Sequence, residues 1–415
     1  MYIKRLLENE LIKHLDKKEY TIITGARQTG KTTLLKRLYE RVKREKKVAV
    51  FVSFEDVDIL KGINKHPEEV FSIIPRPKRD VMSEDSLMQS YYLFIDEIQY
   101  AKNPTNFLKY LYDTYGDRLK IIATGSSAFY MDKKFENSLA GRKRIFELNT
   151  LTFDEWLLFN GEEKLARELK LVRDNVDYVS MRQRDLVDRF NLFVVYGGYP
   201  RVALESDPKE KKNLLKELKN SFLRRDIGEA GIAQIEKFYM ILPLLAQQTG
   251  NLVNRNELAG TVGIDNKTVD KYLFVLQNSF HISLLKPFFS NIRKELTKMP
   301  KIFFNDTGMR NIVLNRFYDF NNRDDSGALF ENYVFNRLRE LFDKEDIRYW
   351  RTADNKEIDF VINKSFNKGM AYEVKIKCPN KKLLSQIRFI ERYPDYPLSI
   401  VSYEPGNDCL WGLKI

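Results

Sequence analysis

Thr24-Gly25-Ala26-Arg27-Gln28-Thr29-Gly30-Lys31-Thr32 decides how the rest of the chain is read. It meets the phosphate-loop pattern G-x-x-x-x-G-K-[ST] with Gly25, Gly30, Lys31 and Thr32 in the required places. Glycines let the backbone turn its N–H groups inward around phosphates, a lysine reaches the β- and γ-phosphates, and the threonine hydroxyl faces Mg²⁺. The flanks agree. Tyr20–Thr24 is short and β-branched, as a buried strand is, and Thr33-Leu34-Leu35-Lys36-Arg37-Leu38 continues as a helix whose N-terminus meets the anion. The candidate nucleotide-binding residues are Gly25, Ala26, Arg27, Gln28, Thr29, Gly30, Lys31, Thr32 and Thr33.

Tyr91-Tyr92-Leu93-Phe94-Ile95-Asp96-Glu97 is an apolar strand ending in two carboxylates. Beside a phosphate loop, Asp96 is the expected partner of Thr32 at Mg²⁺, and Glu97 the expected general base for the attacking water. A third strand, Leu119–Thr124, runs into Gly125-Ser126-Ser127, small polar residues that read either as a γ-phosphate sensor or as an ordinary loop.

Composition bounds the class. A chain of 415 residues exceeds what one core fills, so several domains are expected. No run of about 18 apolar residues occurs, so no membrane span is expected, and the N-terminus lacks the pattern of a secretory signal. Cys378 and Cys409 are too few for a disulfide framework and wrongly spaced for zinc, which fits a reducing cytoplasm. The net charge of +12 suits a polyanionic partner such as nucleic acid, although solvated lysines give the same total.

Strands and helices alternate to about residue 150, the pattern of a mostly parallel sheet covered on both faces. Residues 151–235 read as helical, broken at Tyr196-Gly197-Gly198-Tyr199-Pro200, and form an expected lid. In 236–305, helix Asn256–Val262, a Gly-containing turn and helix Thr268–Leu276 precede a hairpin of His281–Leu285 with Pro300–Phe304, the order of a winged helix. Arg293, Lys294, Lys298 and Lys301 against Glu295 make its wing basic, which suits phosphate contact. Residues 306–415 run helix, three strands, helix, strand. Asp359 and the Glu373-x-Lys375 pair stand on neighbouring strands, and the i, i+2 spacing places Glu373 and Lys375 on one face. Two carboxylates can hold Mg²⁺ and a lysine can activate its water; Glu331 on the preceding helix completes the set.

Taken together, the chain resembles the prokaryotic AAA-type ATPases that carry a C-terminal domain of unknown function. The resemblance rests on the phosphate loop, Phe94–Gln99, Ala123–Ser127, Ser138-Leu139-Ala140-Gly141-Arg142, Tyr196–Pro200, Arg224–Ile227, Lys301–Gly308 and the Glu331, Asp359, Glu373, Lys375 set. It implies an α/β architecture: a P-loop AAA-type parallel core, helical lid, winged helix and restriction-endonuclease-like α/β domain. It also implies ATP and Mg²⁺ as cofactors, Ser126 as sensor, and Arg142 acting on the γ-phosphate of its own or a neighbouring subunit. A structural salt bridge is the other reading of Arg142. Two functions follow as expectations. One is ATP hydrolysis coupled to DNA handling, with a C-terminal domain that cleaves or grips nucleic acid. The other is an ATP-dependent assembly switch, the chain acting as a homo-oligomer, whose C-terminal domain only binds.

Overall fold

The computed structural model describes residues 2–76, 91–125, 139–175, 177–288, 298–365, 368–381, 383–406 and 409–415, apart from the side chains at 223 and 226. They divide into two compact units, Met1–Asn149 with Asn278–Phe280, and Thr150–Gln277 with His281–Ile415.

The first unit is built on strands β1 (Tyr20–Thr24), β2 (Val48–Ser53), β3 (Tyr91–Asp96), β4 (Leu119–Gly125) and β5 (Lys143–Glu147). They form one parallel sheet in the order β2-β3-β4-β1-β5. Buried on both faces, the central strands are continuous apolar runs rather than alternating ones. The pleat still sorts them. Ile22, Leu93, Ile95 and Ile121 face Phe107, Leu108 and Leu111 of helix Pro104–Tyr115. Ile23, Phe94 and Ile122 face Leu34, Leu35, Leu38 and Val42 of helix Lys31–Arg44. Each of those four helix side chains gains about 1.5–3 kcal/mol from burial, which seats the helix that follows the phosphate loop.

The second unit holds β6 (Ile282–Leu285), β7 (Lys301–Phe304), β8 (Ile347–Arg351), β9 (Glu357–Ser365), β10 (Lys368–Lys375), β11 (Leu398–Ser402) and β12 (Leu410–Trp411). The last five form a mixed sheet in the order β12-β11-β10-β9-β8, with β8, β9 and β10 antiparallel and β10, β11 and β12 parallel. Helices Phe153–Phe159, Glu163–Asp174 and Gln183–Tyr196 share one core with this sheet and with helix Ser326–Leu341. Phe190 meets Tyr333 edge to face at 4.6 Å. Helices Ile235–Gln247, Arg255–Val262 and Asn266–Asn278 precede the antiparallel hairpin β6–β7, and Thr249 and Leu252 bridge to β7 from its other side. The hairpin also meets β8: Tyr349 N–H donates to Lys286 O at 3.1 Å, and Tyr349 O accepts from Phe288 N–H at 2.5 Å.

Two motif stretches singled out above turn out to be a joint. Buried Asp306 accepts from Gly198 N–H and from Met309 N–H, each at 2.8 Å, capping helix Thr307–Leu314. Gly197 has φ +76°, and a Cβ there would lie 2.3 Å from Asp306 Oδ1; a Cβ on Gly308 would lie 2.1 Å from Tyr196 O.

Among the described residues no helix is long and apolar enough to cross a membrane. The two cysteines, which by count argue against a disulfide framework, are joined, with Cα atoms 5.9 Å apart. Cys378 follows β10 and Cys409 precedes β12, and the sheet order brings together residues 31 positions apart.

Gly197→Ala is expected to destabilise the chain by clearly more than Gly161→Ala. Both glycines have positive φ, but space at Gly161 is open, so urea unfolding of the two variants isolates the contact with Asp306. Strain at a positive φ alone costs about 1 kcal/mol; equal losses in the two variants would remove the joint from this account.

Candidate functional site

β1 ends at Thr24, and the loop 25–30 turns directly into helix Lys31–Arg44. Gly25 has φ +144°, and a Cβ there would stand 2.2 Å from Leu148 O, so only glycine lets the loop lie against that backbone. Gly30, at φ +98°, precedes the helix without a side-chain cap, leaving the first-turn N–H groups to an anion. Lys31 is buried, and its Nζ donates to Gly25 O at 3.0 Å and Ala26 O at 2.8 Å. Thr29 Oγ1 donates to Ala26 O at 2.9 Å. Gln28 and Thr33 are exposed and Arg27 is half-buried. Arg5, which no motif pointed to, closes the loop from the N-terminal segment: Nη1 donates to Thr29 O at 2.7 Å and Nη2 to Asn149 O at 2.8 Å.

At the end of β3, Asp96 accepts from Thr32 Oγ1, 3.0 Å from each carboxylate oxygen, and from Thr124 Oγ1 at 2.5 Å. Thr124 Oγ1 in turn accepts from Glu97 N–H at 3.0 Å. Glu97 adopts φ +57°, and its carboxylate accepts from Gln99 Nε2. One threonine on β4 therefore fixes both acidic residues. A hydroxyl and a carboxylate already in contact are the oxygen donors a hard dication takes, and a lysine resting on its own loop carbonyls is placed to exchange them for phosphates. These residues fit ATP with Mg²⁺.

Two predicted residues stand elsewhere. Ser126 lies outside the described residues. Arg142 precedes β5 beside the start of β1, at the opposite end of that strand from the phosphate loop, and its Nε donates to Asp113 at 2.7 Å. It is not brought to the loop of its own sheet.

The C-terminal sheet gathers a second set. Glu331, Asp359, Glu373 and Lys375 come together, and Glu357 and Lys301 join them. Lys301, a basic-wing residue by sequence, is instead 1% exposed, with Nζ 2.5 Å from Glu357, 3.1 Å from Glu331 and 3.4 Å from Asp359. Arg293, Lys294 and Glu295 of that wing lie outside the described residues, and Lys298 is exposed. Asp359 Oδ2 accepts from Val374 N–H at 2.8 Å, and Lys375 Nζ is 2.9 Å from Glu373 Oε1. Burial opposes the Lys301 charge, but Glu331, Asp359 and Glu357 more than offset it, so its ammonium is held above the ordinary range. Burial likewise opposes the Lys375 charge and is outweighed by Asp359 and Glu373. Neither lysine is poised to give up a proton. Burial raises Glu331 well above the usual carboxylate range, against the pull of Lys301. Among the described residues no group of three or more His, Cys, Asp or Glu is set to hold a metal. With an ammonium between its carboxylates this cluster does not fit a resident Mg²⁺.

Residues 17–157 match the family model of an AAA domain, 187–319 that of a domain of unknown function (DUF8612), and 326–408 that of another (DUF4143). An uncharacterized protein of Methanocaldococcus jannaschii is 26% identical over 367 residues, spanning 87% of this chain and 75% of that one. One from Haemophilus influenzae is 25% identical over 372 residues, spanning 86% and 82%. Among solved structures, the Aeropyrum pernix Orc1 protein in complex with DNA aligns over 81% of this chain and 95% of its own, at 13% identity and a TM-score of 0.33. AMPPCP-bound DnaA from Aquifex aeolicus aligns over 66% and 89%, at 14% and 0.33. Those overlays are too loose to carry an argument. The weight rests on the match over 17–157 and on the strand order with the phosphate loop at the end of β1.

Arg5→Met is expected to loosen the loop rather than remove it, since it strips donors from two carbonyls. Leaving a buried acceptor unpaired costs about 1–3 kcal/mol. Affinity for a fluorescent ATP analogue should fall severalfold, with a lower unfolding midpoint; unchanged affinity would show that the arginine does not hold the loop.

Proposed function

Given that residues 17–157 belong to an AAA domain with a P-loop ATPase core, we propose that the chain hydrolyses ATP with Mg²⁺ and couples turnover to the handling of nucleic acid, DNA first of all. The observation that carries the ATP half is the array Thr32–Asp96–Thr124–Glu97 at the mouth of the phosphate loop. In this reading the loop N–H groups and Lys31 bind the phosphates, and Thr32 and Asp96 hold Mg²⁺, which supplies charge to the transferring phosphoryl group. Glu97, oriented by Gln99 and Thr124, accepts the proton of the attacking water. Ser126 is assigned as sensor. Arg142 serves a neighbouring subunit, because within its own sheet it stands at the far end of β1. That assignment requires a homo-oligomer.

The DNA half is supported by the net charge of +12 and by three helices followed by a bridged hairpin, which we read as a winged helix within 236–305. It lies between a helical lid at 151–235 and an endonuclease-like domain at 306–415. A second reading has a specific observation behind it: Lys301 among the acids favours a C-terminal domain that binds without cleaving, with ATP acting as a switch on assembly.

Steady-state hydrolysis with and without duplex and single-stranded DNA tests both. Lys31→Ala should lose ATP binding. Glu97→Gln should keep it while turnover falls by about 10²-fold or more. Normal hydrolysis by either variant would misplace the site. Stimulation by DNA is the expected outcome; turnover indifferent to DNA, with a nucleotide-dependent mass, would favour the switch.

A further inference from the structure

Lys301 is the first residue of β7, and its root is fixed on both sides. It pairs with Leu285 across the hairpin and bridges to Leu252, while Val253 N–H donates to Pro300 O at 2.8 Å and Ile302 N–H to Asn251 O at 3.2 Å. From there its ammonium, 1% exposed, enters the acidic cluster of the C-terminal sheet. An ammonium has three donors and no acceptor. Three carboxylates meet this one, Glu357 at 2.5 Å, Glu331 at 3.1 Å and Asp359 at 3.4 Å, and the Tyr349 ring lies 5.8 Å away. Each acid comes from a fixed element: Glu331 from helix Ser326–Leu341, Glu357 and Asp359 from one face of β9.

One member of the cluster has a lone pair to spare. Glu373 is 2% exposed, and its Oε2 has no hydrogen-bond partner among the described residues, while Oε1 pairs with Lys375. In the β9–β10 register it stands one step past the Tyr372–Phe360 pair, opposite Asp359. An unpaired, buried carboxylate oxygen beside a second carboxylate invites a cation. Mg²⁺ and Mn²⁺ take carboxylate and water oxygens in a compact octahedron, and neither tolerates an ammonium inside that shell.

We propose that this pocket is a cation site whose resident is the Lys301 ammonium, and that a divalent metal ion binds among Glu331, Glu357, Asp359 and Glu373 only when Lys301 is withdrawn or removed. The inference deepens the reading of the C-terminal domain as one that binds without cleaving, and rests on it. It also makes β7 the element that sets whether the pocket is open, since Lys301 leaves only if that strand moves.

Mn²⁺ titration of the nucleotide-free full chain, by electron paramagnetic resonance and by thermal shift, tests it. The wild-type chain and Lys301→Arg should take up no ion at this cluster. Lys301→Met should gain one site, at least about tenfold tighter than any uptake by the wild type, with a Mn²⁺-dependent rise in melting temperature; adding Asp359→Asn should abolish both. A wild-type chain that binds one Mn²⁺ lost in Asp359→Asn would overturn the proposal, as would a folded Lys301→Met chain that binds none. If Lys301→Met fails to fold, Lys301→Gln takes its place, and a folded Lys301→Gln chain that binds no Mn²⁺ overturns the proposal in the same way. DNA cleavage that survives Asp359→Asn would sink the non-cleaving reading and leave this inference standing. Mn²⁺ uptake by the wild type without cleavage would do the reverse.

Discussion

The second unit hangs on one buried carboxylate. Asp306 sits between the Gly197-Gly198 turn and the start of helix Thr307–Leu314, and it takes N–H donors from both. Burial pushes its pKa up, and hydrogen bonds from the Gly198 and Met309 backbone and the Thr150 hydroxyl work against that without cancelling it. Two glycines without side chains make the approach possible. Immediately before the joint, Phe304 exchanges backbone hydrogen bonds with the Asn332 amide at 2.8 and 2.7 Å, which fixes the end of β7 against helix Ser326–Leu341. The strand that delivers Lys301 is therefore held at both ends, and the acidic cluster inherits its geometry from a turn more than a hundred residues earlier in the chain.

What could be read from the sequence was local. The phosphate loop, the strand ending at Asp96 and the helix after Lys31 are written within a few residues of each other, and the structure keeps them. The Asp359, Glu373 and Lys375 set was legible because strand periodicity puts such residues on one face. Glu357 carries the same i, i+2 signal relative to Asp359. Lys301 and Arg5 had no such signature. A lysine near other basic residues reads as surface until the fold shows it enclosed by acids from two other elements. Arg5 meets the loop across 24 positions of chain, a contact only tertiary structure makes. The Cys378–Cys409 link was hidden for a related reason, since its separation of 31 becomes short only once β10, β11 and β12 lie side by side.

Two buried lysines mark opposite kinds of site. Lys31 donates to neutral main-chain carbonyls. Exchanging these neutral acceptors for phosphate oxygens adds the attraction of opposite charges to hydrogen bonds whose donor is already ionised. Lys301 already has an acidic side chain for each of its three donors and gains little from a new anion. The same residue type thus holds one pocket ready for a ligand and fills the other, and the difference lies in whether the acceptors it starts from are main-chain carbonyls or acidic side chains.

The contact between the hairpin and β8 has its own consequence. β8 is the outermost strand on its side of the mixed sheet, and the segment Lys286–Phe288 covers part of its free edge through Tyr349. The other border is β12, only two residues long. Bare strand edges are templates for pairing with another chain. Drawing the hairpin away would bare the N–H and C=O of Tyr349 along that edge, the groups an added strand pairs with. While the hairpin stays in place, both groups are already taken.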